Sequence, residues 1–294
     1  MSQPAATTTG TYLPIPFAVR WRKELDDAIR QRGWHVHAAG SHHGKSAENR
    51  HCYLDHIQAA ANAGRNERPV ALAWATDNKL ITRSIAESLG GRLFAAQRHI
   101  ELRVPDAIKR LKTQLIIVNN GHNMDWRQWN ELLTLDDICF TMHGIHVGVV
   151  LSGVHHELGI VNQPKQRELV EQITQRIKCY KRIPGHDRGE VKVALELIMT
   201  RDDPGLLRRG ALNHAGLVYE LLTSPALDPT RTKRVAAVHL FEIVSRMSAI
   251  SGKQPRSSME QVVRAAYEHY MQNRLVVPTM TNPVAALAAL AQQP

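Results

Sequence analysis

Aromatic residues make up only 5% of this 294-residue chain, and it contains only three cysteines. So few aromatic rings argue against a surface that binds single-stranded nucleic acid by base stacking. Cys52, Cys139 and Cys179 are too few for a disulfide scaffold and form no Cys-x-x-Cys pair, so we expect a reducing, cytoplasmic location. No apolar run approaches the roughly 18 residues of a membrane span, so we expect no membrane partner. The first residues also lack the basic start and apolar core of a secretory signal.

Acidic residues are fewer than basic ones. The chain has 37 Lys and Arg against 27 Asp and Glu, which gives a formal net charge of +10 at pH 7. Proteins with such an excess favour polyanions, and we expect duplex DNA, contacted through its phosphate backbone. A basic surface that serves solubility without a partner is the alternative.

Apolar spacing predicts strands alternating with helices up to about residue 185, and mostly helices after it. The predicted strands are 34–38, 69–76, 114–120, 145–153 and 177–183. Helices are predicted over 17–32, 47–63, 80–91, 104–113, around 126–135, and over 166–177, 189–200, 205–223, 232–251 and 258–274. Alternation of this kind is typical of a parallel sheet covered on both faces. We therefore predict an α/β fold with a disordered N-terminus (1–11), a parallel-sheet core (12–185), an all-helical subdomain (186–275) and a flexible tail (276–294).

The strongest local motif is Gly44-Lys45-Ser46, between a predicted strand and a predicted helix. In this context backbone N–H groups and the helix N-terminus face phosphates, the lysine reaches the β- and γ-phosphates, and the serine hydroxyl ligates magnesium. The full pattern has glycine at the position of Ala39, and here Gly40 follows one residue later; an ordinary turn is the alternative. We predict ATP and Mg²⁺ as cofactors, Ser46 as a metal ligand, His43 as a residue that shapes the loop, and a nucleotide site formed by Gly40, His43, Gly44, Lys45, Ser46 and Ala47.

A second motif is the apolar strand that ends in Asn119 and Asn120. Phosphate-loop hydrolases carry two acidic residues here: the first holds the magnesium shell and the second polarises the attacking water. Asn119 is accordingly predicted in the magnesium shell and Asn120 at the position of the base. An amide neither neutralises the metal nor acts as a base, so we expect weak or absent hydrolysis unless Asp125 compensates. A plain core strand followed by an Asn-Gly turn is the alternative.

The next predicted strand ends at Ser152. A polar side chain at the tip of this strand is where such enzymes sense the γ-phosphate, so Ser152 is a candidate catalytic residue. A Ser-Gly turn at the end of a strand explains the same residues.

The order of these elements and motifs resembles the AAA+ ATPases. Within them the chain looks most like the TniB/TnsC transposition regulators, relatives of MuB and IstB, over roughly residues 12–275. Two of these motifs depart from the family pattern: the acidic pair is replaced by Asn119 and Asn120, and a common Gly-Thr is Gly153-Val154 here. The resemblance is carried by the segments YLPIPFAVRWRKEL, SHHGKS, LIIVNNGHNM and HVGVVLSGVHHELG.

This resemblance implies a P-loop AAA+ core with a C-terminal helical lid. It also implies ATP bound at subunit interfaces, rings or filaments assembled from copies of the chain on duplex DNA, and recruitment or activation of a transposase. An arginine of the neighbouring subunit would complete the site, with Arg176 the first candidate and Arg167 the second. Lys233 and Arg234 would open a lid helix at the place of a second sensor. The residues implied in DNA contact are Lys79, Thr82, Arg83, Arg103 and Lys109.

Three functions remain open from the sequence. The first is an ATP-dependent regulator of transposition that acts by assembly on DNA, with hydrolysis weak or lost. The second is an adaptor that keeps the AAA+ shape but binds DNA or protein without nucleotide. The third is an active ATPase of the helicase-loader type, in which Asp125 acts for the missing acid.

Overall fold

The computed structural model describes residues 13–40, 43–76, 80–90, 100–153, 167–228 and 232–275. The chain divides into two compact units after Gly185. The segments predicted to be disordered or flexible, 1–11 and 276–294, lie outside the described residues. None of the described helices combines the length and the apolarity needed to cross a membrane.

The described residues of the first unit form five strands and six α-helices. Its strands are β1 (Trp34–Ala38), β2 (Val70–Trp74), β3 (Leu115–Asn119), β4 (Gly148–Gly153) and β5 (Ile177–Arg182). Its helices are α1 (Pro16–Gln31), α2 (Lys45–Asn62), α3 (Ile81–Ser88), α4 (Ile100–Arg110), α5 (Trp126–His143) and α6 (Arg167–Arg176). The second unit is built from α7 (Arg188–Asp202), α8 (Pro204–Arg208), α9 (Ala215–Leu222), α10 (Ala237–Lys253) and α11 (Met259–Leu275).

The five strands form one sheet in the order β2-β3-β4-β1-β5. Each strand runs parallel to its neighbours. Four strands are short runs rich in apolar residues, and all their side chains except Trp74 are buried, as expected for a parallel sheet covered by helices on both faces. The predicted α/β fold with a parallel sheet and a helical C-terminal part is confirmed.

The sheet has a core on each face. On one face α1 and α2 cover β2, β3 and β4, with Trp21 and Leu25 of α1 fully buried. On the other face α3, α4 and α5 contribute Ile85, Ile108 and Trp129, which are also fully buried. Burial of large apolar side chains of this kind contributes roughly 1.5–3 kcal/mol each. Both layers therefore hold the carboxyl ends of the strands in fixed positions.

Three predicted helix boundaries are wrong. The range 205–223 is divided into α8, a 3-10 segment (Ala211–His214) and α9, because Gly210 adopts a left-handed conformation with φ 77°. Helix α10 begins at Ala237 instead of residue 232. Helix α4 begins at Ile100, so Pro105 lies inside the helix and not in its first turn.

Candidate functional site

The loop from β1 to α2 ends in an uncapped helix N-terminus. Gly44 is the N-cap residue, with φ 94°, and as a glycine it has no side chain with which to cap the helix. The first helical hydrogen bond runs from Glu48 N to Gly44 O at 3.0 Å, so the N–H groups of Lys45, Ser46 and Ala47 precede it. Such N–H groups and the positive end of the helix dipole form a binding site for an anion.

Lys45 places an ammonium group against the same loop. Its Nζ donates to the carbonyls of Ala39 at 3.1 Å and Gly40 at 2.7 Å. Burial lowers the pKa of Lys45 to about 8, because the charged form loses hydration. A phosphate at this loop would offer the ammonium a stronger, charge-assisted partner than two neutral carbonyls.

The ring of His43 lies close to both the loop and α1. Its ring lies 5.5 Å from the ring of Phe17 on α1, centroid to centroid. A Cβ added to Gly40 would approach His43 Cε1 to 2.4 Å, so the ring occupies the space that a side chain at position 40 requires. The glycine at position 40 therefore permits His43 to pack between the loop and α1.

Asn119 lies at the end of β3 in a buried hydrogen-bond chain that the sequence does not predict. Trp21 Nε1 donates to Asn49 Oδ1 at 2.7 Å, and Asn49 Nδ2 donates to Asn119 Oδ1 at 2.5 Å. All three side chains are fully buried. One acceptor position of the Asn119 amide oxygen is thus used by Asn49, and the predicted place of Asn119 in a magnesium shell stays a prediction.

Polar side chains continue across the sheet from Asn119. Asn119 is in register with Ser152 of β4, and Ser152 with His37 of β1. All three are buried. Trp21 packs against His37 with ring centroids 5.9 Å apart, and burial is the largest cause lowering the pKa of His37 to about 3. The neutral ring's two nitrogens find no hydrogen-bond partner among the described residues. The sheet thus brings the γ-phosphate sensor candidate, Ser152, beside Asn119.

The turn after β3 carries a histidine that sequence reasoning missed. Asn120 is in the left-handed region, with φ 57°, and starts the 3-10 turn Gly121–Asn123. A Cβ on Gly153 would lie 3.1 Å from His122 Nδ1, so this ring packs against the end of β4. Burial and then the charge of Lys45 lower the pKa of His122. His122 therefore belongs to the environment of the phosphate loop.

Asp125, the residue that could compensate for the missing acids, begins a helix. It is the N-cap of α5, where its carboxylate accepts from Gln128 N at 2.8 Å and the Gln128 side chain accepts from Asp125 N at 3.1 Å. This capping box uses the carboxylate to hold the helix N-terminus. The geometry weakens the helicase-loader hypothesis, which requires Asp125 as a base.

Arg176 contacts acidic residues of its own chain. Its Nη2 donates to Asp137 Oδ1 at 2.5 Å, and its Nε lies 3.4 Å from Asp136 Oδ2. A role in a neighbouring subunit's site requires the guanidinium to leave both carboxylates. That role of Arg176 stays a prediction. The second candidate, Arg167, also stays a prediction, because its side chain lies outside the described part of the chain.

One predicted DNA contact needs correction. Thr82 is only 2% exposed, and its hydroxyl donates to Glu131 Oε2 at 3.1 Å, so it does not present a hydroxyl to a DNA backbone. Arg83 is exposed and lies 3.5 Å from Glu87 on the next turn of its helix. The other exposed candidates are Arg103 and Lys109 of α4, and Lys79 lies outside the described residues.

The second-sensor prediction also changes. Lys233 and Arg234 precede α10 and do not open it. Arg234 Nη1 lies 3.3 Å from Asp187 Oδ2, at the N-cap of α7, and Lys233 is in the left-handed region with φ 52°. Within the second unit Arg234 therefore contacts the start of a helix.

Asn49 is the main omission of the sequence analysis. It lies four residues after Lys45 and three before Cys52, on the buried face of α2. The available signal was its spacing from Cys52, which places both residues on one helix face.

The fold defined by this sheet order, with a helical C-terminal part, is that of the AAA+ ATPases. Among solved structures, the chain is similar to the ORC2 protein of Aeropyrum pernix in its ADPNP–ADP complexes, with a TM-score of 0.59 and 17% identity over 88% of this chain and 70% of that chain. The ADP form of the same protein gives a TM-score of 0.53 and 15% identity over 90% and 71% of the two chains. A Thermotoga maritima RuvB variant gives a TM-score of 0.46 and 12% identity over 85% and 68%.

These likenesses concern the fold alone. No protein-family model matches the chain, and no curated protein matches its sequence. The resemblance to the transposition regulators therefore stays a prediction.

Proposed function

We propose that the chain binds an adenine nucleotide at residues 40–47 and uses it to assemble on duplex DNA. The observation that carries the proposal is the loop itself: an uncapped helix N-terminus with the Lys45 ammonium beside it, at the end of β1. The ORC2 structures of similar fold are complexes with ADPNP and ADP, which supports nucleotide as the ligand class.

The biological role we propose is regulation of DNA transposition, as in the TniB/TnsC family, by presenting a nucleotide-bound oligomer to a transposase. The net charge of +10 supports a polyanion as partner. The exposed Arg83, Arg103 and Lys109 supply phosphate contacts, and such contacts carry little sequence preference. Arg176 is the proposed contribution of one subunit to the nucleotide site of the next.

Hydrolysis is proposed to be weak or absent. The ends of β3 and β4 carry Asn119, Asn120 and Ser152, none of which is a general base. Asp125, a little further along the chain, caps α5. Nucleotide binding without turnover suits a switch that acts by assembly.

Nucleotide affinity tests this proposal. A fluorescent ADP analogue is titrated into the wild type, Lys45→Ala, and the control Lys23→Ala, which removes an exposed charge from α1. We expect saturable binding by wild type and control, binding at least about tenfold weaker in Lys45→Ala, and negligible phosphate release with or without duplex DNA. Equal affinity in all three proteins would refute the loop as the site.

DNA binding is tested by its salt dependence. Replacing Arg83, Arg103 and Lys109 with glutamine removes three positive charges, and we expect the slope of log K against log[salt] to fall by about 2–3. The control replaces Lys192 and Lys253, which are exposed in the second unit, and leaves the slope unchanged. An unchanged slope in the triple variant would place the DNA contact elsewhere.

An adaptor that binds no nucleotide is the second candidate function. It is favoured by the contact of Lys45 Nζ with Ala39 and Gly40, because these carbonyls already satisfy the ammonium within the loop. Absence of nucleotide binding together with salt-sensitive DNA binding would select this candidate.

A further inference from the structure

The orientation of the Asn119 amide follows from hydrogen-bond chemistry. The indole N–H of Trp21 is a donor only, so Asn49 must present its oxygen to Trp21 and its NH₂ group to Asn119. Asn119 must then present its own oxygen to Asn49. The two amide orientations are therefore fixed by a single indole N–H.

The group that remains on Asn119 is its NH₂. Asn119 Nδ2 is fully buried and has no hydrogen-bond partner in the part of the chain that the structure describes. Buried polar groups of this kind are uncommon in folded proteins. The end of β3 thus offers a hydrogen-bond donor where the family pattern has an acceptor.

A donor does not fit a magnesium ion. Mg²⁺ takes oxygen ligands in an octahedral arrangement, and its bound waters present hydrogens outward, which requires acceptors around them. An N–H group carries positive partial charge and repels both the ion and these hydrogens. Of the two residues predicted to hold the metal, Ser46 is then the one that offers an oxygen ligand. The residues present therefore do not form the expected magnesium site.

Positive charge is available to phosphates without a metal. The ammonium of Lys45 and the N-terminus of α2 both face the loop. The Asn49–Asn119 hydrogen bond joins α2, the helix that carries Lys45 and Ser46, directly to β3. This bond ties the helix to the end of β3 without a metal.

From this we infer that nucleotide binds at the phosphate loop without Mg²⁺, and that Asn119 is a positioning residue for α2 instead of a metal ligand. The inference rests on the proposed nucleotide function. The inference can be tested separately from that function, because it concerns how strongly the affinity for nucleotide depends on Mg²⁺.

The test compares the Kd of a fluorescent ATP analogue in excess MgCl₂ and in excess EDTA. For the wild type we expect the two Kd values to agree within about twofold, equivalent to about 0.4 kcal/mol. In Asn119→Asp a carboxylate oxygen replaces the NH₂ group, and we expect Mg²⁺ to strengthen binding by about tenfold relative to EDTA. A merely structural role for Asn119 would weaken binding in both buffers equally and leave their ratio unchanged.

The wild-type ratio decides the inference even if Asn119→Asp does not fold. Binding in MgCl₂ that is lost in EDTA overturns the inference and leaves the proposed nucleotide function standing. Binding in neither buffer overturns the proposed function and the inference together. Equal binding in both buffers supports the inference.

Discussion

The buried chain Trp21–Asn49–Asn119 predicts a large stability loss on Asn49→Leu. Leucine keeps the branched side chain of asparagine, with the same number of heavy atoms, and removes its polar groups; its methyl groups are bulkier, so the double-mutant cycle below isolates the part of the effect that comes from the hydrogen bonds. Their loss leaves a buried indole N–H and a buried amide oxygen unpaired. Each such group costs about 1–3 kcal/mol, so we expect the free energy of unfolding to fall by about 2–6 kcal/mol.

In the full chain, tryptophan fluorescence measures this loss of stability for the first unit. The five tryptophans all lie before residue 130, so their fluorescence reports this unit during urea unfolding: Trp21, Trp34, Trp74, Trp126 and Trp129. The matched control is Asn62→Ala, at the exposed end of the same helix, where we expect a change within about 0.5 kcal/mol.

A double-mutant cycle separates the hydrogen bond from other effects. Trp21→Phe keeps an aromatic ring and removes the N–H donor. The double variant Trp21→Phe, Asn49→Leu leaves no unpaired indole donor. We therefore expect its loss in free energy of unfolding to be smaller than the sum of the two single losses by about 0.5–3 kcal/mol. Strict additivity, or an Asn49→Leu loss no larger than that of Asn62→Ala, would refute the reasoning.

Two further predictions concern pH. Burial lowers the pKa of Lys45 to about 8 in the free protein, whereas phosphates favour the charged form. Nucleotide affinity should therefore be highest below pH 8 and fall by up to about tenfold per pH unit above it, while Lys45→Arg, charged throughout, shows no such fall; a flat wild-type profile between pH 7 and 9.5 would contradict this. His37 has its pKa lowered to about 3 against 6.5 in an unfolded chain, so its stabilising effect is complete above pH 6.5 and decreases as the pH falls towards 3. Between pH 7 and pH 5, the free energy of unfolding measured in urea should fall by about 2 kcal/mol more in the wild type than in His37→Leu. The control is His146→Gln, which changes an exposed histidine. An equal fall in the wild type and His37→Leu would refute the assignment.

The sheet was predictable because its strands are short apolar runs at regular intervals. The segments 70–74 and 115–119 are distinguished from their surroundings by their apolar residues, and burial on both faces of the sheet explains that pattern. The start of α2 was predictable because the local motif Gly44-Lys45-Ser46 follows a strand, and Gly44 is the N-cap residue of that helix. Periodicity failed at 205–223, where Gly210 interrupts an otherwise helical sequence by adopting a positive φ.

The interior of the site was less predictable. Asn49 is a polar residue on a buried helix face, and its partners Trp21 and Asn119 are distant in sequence. Asn119, Ser152 and His37 lie in one row because of the order of the strands in the sheet. This order is set by tertiary packing, so the local sequence does not predict it. Thr82 shows the reverse error, because the family resemblance implied a DNA contact at this position, whereas its hydroxyl is buried and donates to Glu131.

A crystal structure of the chain grown with ADP tests the central claim most directly. We predict phosphate oxygens within about 3 Å of the backbone N–H groups of Lys45 and Ser46. We also predict the ammonium of Lys45 turned from the carbonyls of Ala39 and Gly40 to the phosphate. ADP bound at another place, with Lys45 still on those carbonyls, would contradict the account.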